Sequence, residues 1–164
     1  MRKTIALGVI LIVLQIPLLA YVLLQERTWG GSERDGAHGV AAAGDGSVYV
    51  AGATRSFGAG GEDAFLLKYG ADGSLLWQRT YGTAPDVQSG DESGIDVAIA
   101  PDGSGVVVLG NYRDGNIFLA KFSPAGTLLW DLTWGGTGSE AAGALAISPT
   151  NGIIYVTSTR SSAM

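Results

Sequence analysis

The one histidine of the chain is His38, and any histidine-centred triad would have to be built around it. Ser32 and Asp35 are sequence neighbours with the right chemistry, a hydroxyl and a carboxylate. No Gly-x-Ser-x-Gly elbow surrounds Ser32, so His38 is expected at a surface or sheet edge, not in catalysis. Asp91, Glu92 and Asp96 cluster in one segment, and Glu62-Asp63 ends another. Calcium favours oxygen-rich loops of this kind. The D-x-[DN]-x-[DN]-G spacing is absent, however, so these read as solvated loop charges, with Asp63 capping or bonding a turn. A carboxylate pair for glycoside hydrolysis is defined by a separation that sequence does not give. There is no cysteine. That excludes disulfides, thiolate metal sites, a cysteine nucleophile and the lipid-bearing cysteine of a bacterial lipoprotein. The chain is therefore expected to hold no catalytic, cofactor-binding or metal site.

The composition says what must position these groups. Glycine supplies 26 of 164 residues, 46% of residues are apolar and only 15% are charged. High glycine without a collagen period, together with β-branched and aromatic residues, points to strands joined by tight turns. The glycine stretches lie in those turns, not between a strand and a helix, so they are not phosphate loops. All 15 acidic residues lie at or after Glu26, against eight basic ones, leaving that part at −7. Nucleic acid and anionic lipid both need Lys/Arg patches, so neither is an expected partner.

Arg2 and Lys3 precede an uncharged run over 4–24. About 20 apolar residues cross a bilayer as a helix. A cleaved signal peptide has the same basic start but a shorter apolar region and a small-x-small site. Ala20 fits the last position before a cut, but Leu18 is too large two residues earlier. The expectation is a domain 1–24 that is a signal-anchor or signal peptide, with the membrane as partner through residues 4–24. Arg2 and Lys3 should keep the N-terminus inside, so the body over 25–164 is expected outside the cytoplasm, membrane-anchored or secreted.

The body repeats itself. Thr28-Trp29-Gly30-Gly31 returns as Thr80-Tyr81-Gly82-Thr83 and as Thr133-Trp134-Gly135-Gly136. Gly73-Ser74-Leu75-Leu76-Trp77 matches Gly126-Thr127-Leu128-Leu129-Trp130, and Ala64-Phe65-Leu66-Leu67-Lys68 matches Ile117-Phe118-Leu119-Ala120-Lys121. A third copy begins at Ala144 and runs through Ile153-Ile154-Tyr155-Val156. Four strands are expected per unit, near 38–43, 47–53, 63–69 and 74–80, then near 94–100, 104–111, 116–122 and 127–133. Asp45-Gly46, Asp72-Gly73, Asp102-Gly103 and Asn151-Gly152 are hairpin-turn pairs, because Asn, Asp and Gly accept positive φ. Four antiparallel strands every fifty or so residues describe an all-β fold of propeller blades. Trp77 and Trp130 are expected to fill the space between blades.

At these residues the chain resembles the bacterial seven-bladed β-propeller (SBBP) repeat family. Its pattern is met by Trp29-Gly30-Gly31, Asp45-Gly46-Ser47-Val48-Tyr49-Val50-Ala51-Gly52, Asp63-Ala64-Phe65-Leu66-Leu67-Lys68 and Gly73-Ser74-Leu75-Leu76-Trp77. The second unit departs from it: Asn116-Ile117 replaces Asp-Ala, and residues 84–92 lengthen its first loop. The resemblance implies a secreted or surface-exposed scaffold for adhesion or protein interaction, and implies no reaction. A weaker likeness, through Gly73 to Trp77, is to the repeats of pyrroloquinoline-quinone enzymes, whose cofactor needs most of a closed ring. The alternative function is accordingly a fragment of a propeller enzyme whose catalytic or cofactor-binding blades are missing.

Two full units and part of a third make an incomplete ring, since propellers typically use 4 to 8 blades. Either the chain is a piece of a longer protein, or copies self-associate and complete each other's blades through open strand edges.

Overall fold

The computed structural model describes residues 9–14, 23–59, 61–82 and 91–161. These form strands β1 (Val9–Leu14), β2 (Leu23–Trp29), β3 (Asp35–Ala42), β4 (Val48–Thr54), β5 (Asp63–Tyr69) and β6 (Leu75–Tyr81). They continue as β7 (Glu92–Ile99), β8 (Val106–Tyr112), β9 (Ile117–Phe122), β10 (Leu128–Trp134), β11 (Ser139–Ile147) and β12 (Ile154–Ser161). The fold is all-β. Strands β3 to β6 form one four-stranded antiparallel sheet in chain order, and β7 to β10 form a second. Strands β1–β2 and β11–β12 form two-stranded sheets.

Local chemistry sets the hairpins. Asp45, Asp72 and Asp102 each accept the N–H two residues on, from Ser47, Ser74 and Ser104, at 2.9 to 3.0 Å. The following Gly46 and Gly103 take φ of +82° and +73°, a region closed to most L-residues. First strands start earlier than expected, because Asp35 pairs with Thr54 and Glu92 with Tyr112.

The helix expected over 4–24 has no counterpart among the described residues. Val9–Leu14 is strand β1, paired antiparallel with β2. Of the rest of that run, residues 4–8 and 15–22 lie outside the described residues, and Leu23 and Leu24 open β2. Among those described, no helix is long and apolar enough to cross a membrane. The physical reason for the difference is in the residues: Val9, Ile10, Ile12 and Val13 are β-branched and favour extended backbone. A strand buried on both faces and a membrane segment share the same unbroken apolar pattern.

The two-stranded sheets reproduce halves of a complete unit. β1–β2 runs from Val9↔Trp29 to Leu14↔Leu23, with a register shift between Val13 and Leu14. β5–β6 runs from Ala64↔Tyr81 to Tyr69↔Leu75, with its shift between Lys68 and Tyr69. β9–β10 matches both. β1–β2 is therefore the outer pair of a unit. β11–β12 is an inner pair: its shift after Ala142 corresponds to those after Ala37 in β3 and Gly94 in β7.

Three cores lie between successive sheets. Trp29 packs with Val50, Phe65, Leu67 and Tyr69. Tyr49, Ala51 and Leu66 of the first sheet meet Val106, Val108 and Phe118 of the second. Val107, Leu109 and Leu119 meet Leu145 of β11. Alternate residues of β8 thus serve opposite cores, as the period of two in a strand requires. The terminal aromatic of each outer strand locks onto the next sheet: Trp29 lies 4.6 Å from Phe65 and Tyr81 lies 4.8 Å from Phe118, ring centre to ring centre.

Candidate functional site

The acidic residues singled out in the sequence divide into two groups. Asp63 opens β5 and Glu92 opens β7, and both are buried. Both carboxylates converge on Gly82: a Cβ there would stand 2.9 Å from Glu92 Oε2 and would collide with Asp63 Oδ1. Asp91 accepts the Glu62 N–H at 2.9 Å through one oxygen and pairs with Arg113 Nη1 at 3.1 Å through the other. Arg55 Nε donates to Glu62 at 3.1 Å, and the Glu92 N–H donates to the Glu62 carbonyl at 2.7 Å. This network stitches the β4–β5 loop to the start of β7. Glu92 is a fully buried strand residue, where a solvated loop charge was expected. Asp96 stands apart, farther along β7. Its carboxylate accepts the Leu145 N–H at 2.8 Å and so ties β7 to β11.

Burial raises the pKa of Asp63, and the nearby Asp91 charge adds to it, against an opposing bond from the Ala59 N–H. A raised carboxyl pKa favours the folded state at low pH. That stability is full below the ordinary value of 3.8 and is lost as pH rises through the folded value. Asn116 holds the equivalent place at the start of the second unit's third strand. D63N is therefore expected to stabilise the protein at pH 7 by about 1 kcal/mol. The advantage should shrink toward pH 4, as read from urea midpoints at both pH values. A constant or negative difference would show that Asp63 works as a charge.

His38 and Asp35 belong to different networks. His38 is exposed, and its Nδ1 donates to the Gly94 carbonyl at 2.7 Å, bridging β3 and β7. Asp35 accepts from Thr54 Oγ1, from Ser56 Oγ at 2.8 Å and from the Gly31 N–H at 2.8 Å. Burial alone would raise its pKa, but these bonds outweigh it and hold Asp35 below the usual carboxylate value. The arrangement locks the turn after Trp29.

The opposite rim carries clefts between sheets. One, of 450 Å³, is lined by Asp45, Ser47, Tyr49, Lys68, Pro101 and Pro124 among others. A second, of 420 Å³, is lined by the equivalents Asp102, Val107, Lys121 and Pro149, with Trp130 and Asn151. Both volumes fall in the range of ligand sites. In the first cleft Lys68 Nζ lies 5.2 Å from the Tyr49 ring centre and donates to the Pro124 carbonyl at 3.3 Å. Trp77 packs edge-on against Tyr49 at 5.9 Å and donates its indole N–H to the same carbonyl at 3.1 Å. Trp77 thus fills the space between sheets, as expected. Trp130 does not: it is 38% exposed, because no described hairpin lies over it as residues 123–127 lie over Trp77. The clefts were missed in the sequence. Their one signal is the recurrence of a hairpin aspartate and a third-strand lysine, Asp45 with Lys68 and Asp102 with Lys121.

No protein-family model matches the chain, and no curated protein matches it.

Proposed function

We propose that the chain is a β-propeller scaffold that binds a partner and catalyses no reaction, with an acidic peptide segment held in the cleft between its two complete blades. The observation that carries this reading is the recurring rim cleft. Lys68 supplies a cation at its wall, and Tyr49, braced by Trp77 behind it, supplies an apolar surface. Support for a non-catalytic role comes from the carboxylates: Asp35, Asp91 and Asp96 each spend their oxygens on neighbouring amides, hydroxyls or an arginine. The repeat resemblance supports a scaffold for adhesion or protein interaction. The test is an NMR titration with a glutamate-containing tetrapeptide. Saturable shifts at Asp45, Ser47 and Lys68, weakened about tenfold in Lys68→Ala, are expected, as for loss of one charged contact worth roughly 1.4 kcal/mol. Shifts elsewhere, or equal binding by the variant, would refute the cleft assignment.

A second reading concerns location and is favoured by one observation, the uncharged run over 4–24 behind Arg2 and Lys3. Here that run inserts as a helix or directs export, and the body from residue 25 faces outward. This use and the pairing of Val9–Leu14 with β2 exclude each other. Carbonate extraction of expressing cells separates them: retention in the membrane pellet supports the helix, and release supports the strand.

A further inference from the structure

We infer that the cleft between the two complete sheets takes a segment in which an acidic and a basic side chain are neighbours, the carboxylate held by Lys68 and the Tyr49 hydroxyl and the cation held by Asp45. The inference deepens the acidic-segment reading above and rests on it.

The cleft is walled by residues of the β3–β6 sheet on one side and of the β7–β10 sheet on the other, and Asp45, Tyr49 and Lys68 all line it. Asp45 sits in the β3–β4 hairpin, Tyr49 on β4 and Lys68 on β5. Antiparallel pairing sets Tyr49 directly opposite Lys68.

Each of the three keeps binding capacity that the fold does not use. Tyr49 is 4% exposed. Burying a phenol usually requires a partner for its hydroxyl. That hydroxyl has none among the described residues, and it opens on the cleft that the residue lines. The fold itself does not demand a phenol here, because Val107 holds the equivalent place opposite Lys121 in the second sheet. Lys68 has three N–H donors and engages one, on the Pro124 carbonyl. Asp45 spends Oδ1 twice, on the Ser47 hydroxyl at 2.6 Å and the Ser47 N–H at 2.9 Å. Those two bonds hold Asp45 below the usual carboxylate value, so it is charged at neutral pH. Asp45 and Lys68 thus carry opposite charges on one cleft, yet neither joins an ion pair among the described residues.

Charge favours the mixed segment over a purely acidic one. Asp72 and Asp102 stand in the neighbouring β5–β6 and β7–β8 turns, held charged by bonds from Ser74 and Ser104. A segment bearing carboxylates alone is attracted to Lys68 and repelled by this rim. A cation beside the carboxylate turns the repulsion at Asp45 into attraction.

The test is an NMR titration of the full chain with three end-capped tetrapeptides: Ala-Glu-Lys-Ala, Ala-Lys-Glu-Ala and Ala-Glu-Ala-Ala. It is repeated on Asp45→Asn and Tyr49→Phe. Both substitutions keep shape: the asparagine oxygen still accepts from Ser47, and the phenylalanine ring still packs in the core that Tyr49 joins. The tighter of the two lysine-containing peptides is expected to bind about threefold better than Ala-Glu-Ala-Ala, the scale of one exposed ion pair. Asp45→Asn should abolish that advantage. Tyr49→Phe should weaken all three peptides about tenfold, as for a hydrogen bond to a charged group. Equal binding of the three peptides by the parent chain, or an advantage that survives Asp45→Asn, overturns the mixed-charge assignment and leaves the acidic-segment reading standing. Unchanged binding by Tyr49→Phe overturns the part given to its hydroxyl. No shift at Lys68 with any of the peptides overturns both readings.

Discussion

Phe118→Ala is expected to lower stability by about 3–5 kcal/mol, enough to cost a domain of this size roughly 10 °C in Tm. Phe118 is fully buried. Its ring meets Tyr81 from the preceding sheet at 4.8 Å and Tyr112 from its own at 5.1 Å. Above it stands Gly110, where an added Cβ would lie 2.5 Å from Cε1 of the ring. Glycine at this place admits both the aromatic ring and the Ser93 carbonyl oxygen of the paired strand. Gly110→Ala should therefore also destabilise, by about 1–3 kcal/mol, through overpacking and not through a void. The two substitutions share a contact, so in combination they should cost less than the sum of their separate effects, because the alanine methyl then escapes the ring and keeps only its clash with the Ser93 carbonyl oxygen. Urea midpoints of the two single variants and the double variant check this. Strict additivity would mean that Gly110 and Phe118 are independent, and a Phe118→Ala loss below 1 kcal/mol would mean that the core is not organised on the aromatic.

The legible parts of this architecture are those set by neighbours in sequence. The Asp45-Gly46 and Asp102-Gly103 pairs announce hairpins, because side chain and backbone chemistry close those turns within three residues. The repeat of Ala64-Phe65-Leu66-Leu67-Lys68 as Ile117-Phe118-Leu119-Ala120-Lys121 places the third strands, buried on both faces. The parts that escape are decided by what comes to lie opposite. Glu92 reads as one charge in an acidic loop, yet it is buried, because β7 begins there against the Glu62 carbonyl. Trp77 and Trp130 are indistinguishable in sequence, and only the hairpin at 123–127 separates a covered indole from an open one. The run Val9–Leu14 shows the same limit from the other side. Its apolar, β-branched residues suit a membrane segment and a strand alike, and in the fold Val9–Leu14 pairs with β2.

Trp29→Ala is the second large effect, about 3–5 kcal/mol, and it tests whether the N-terminal hairpin belongs to the body. Trp29 is the last residue of β2 and is 8% exposed. It lies 5.0 Å from Phe57 and 4.6 Å from Phe65, and its Nε1–H donates to Gln78 Oε1 at 2.9 Å on the outer strand of the first complete sheet. Removing the indole empties the core that it shares with Val50, Leu67 and Tyr69 and also removes the hydrogen bond to Gln78. Trp29→Phe keeps most of the packing and loses the donor, so it should cost only about 1 kcal/mol. The ratio between the two separates the contributions: a small loss for alanine and an equal loss for phenylalanine would reduce Trp29 to a hydrogen-bond donor on a loosely held strand. A large loss for alanine alone would fix β2 as an integral strand packed on the β3–β6 sheet.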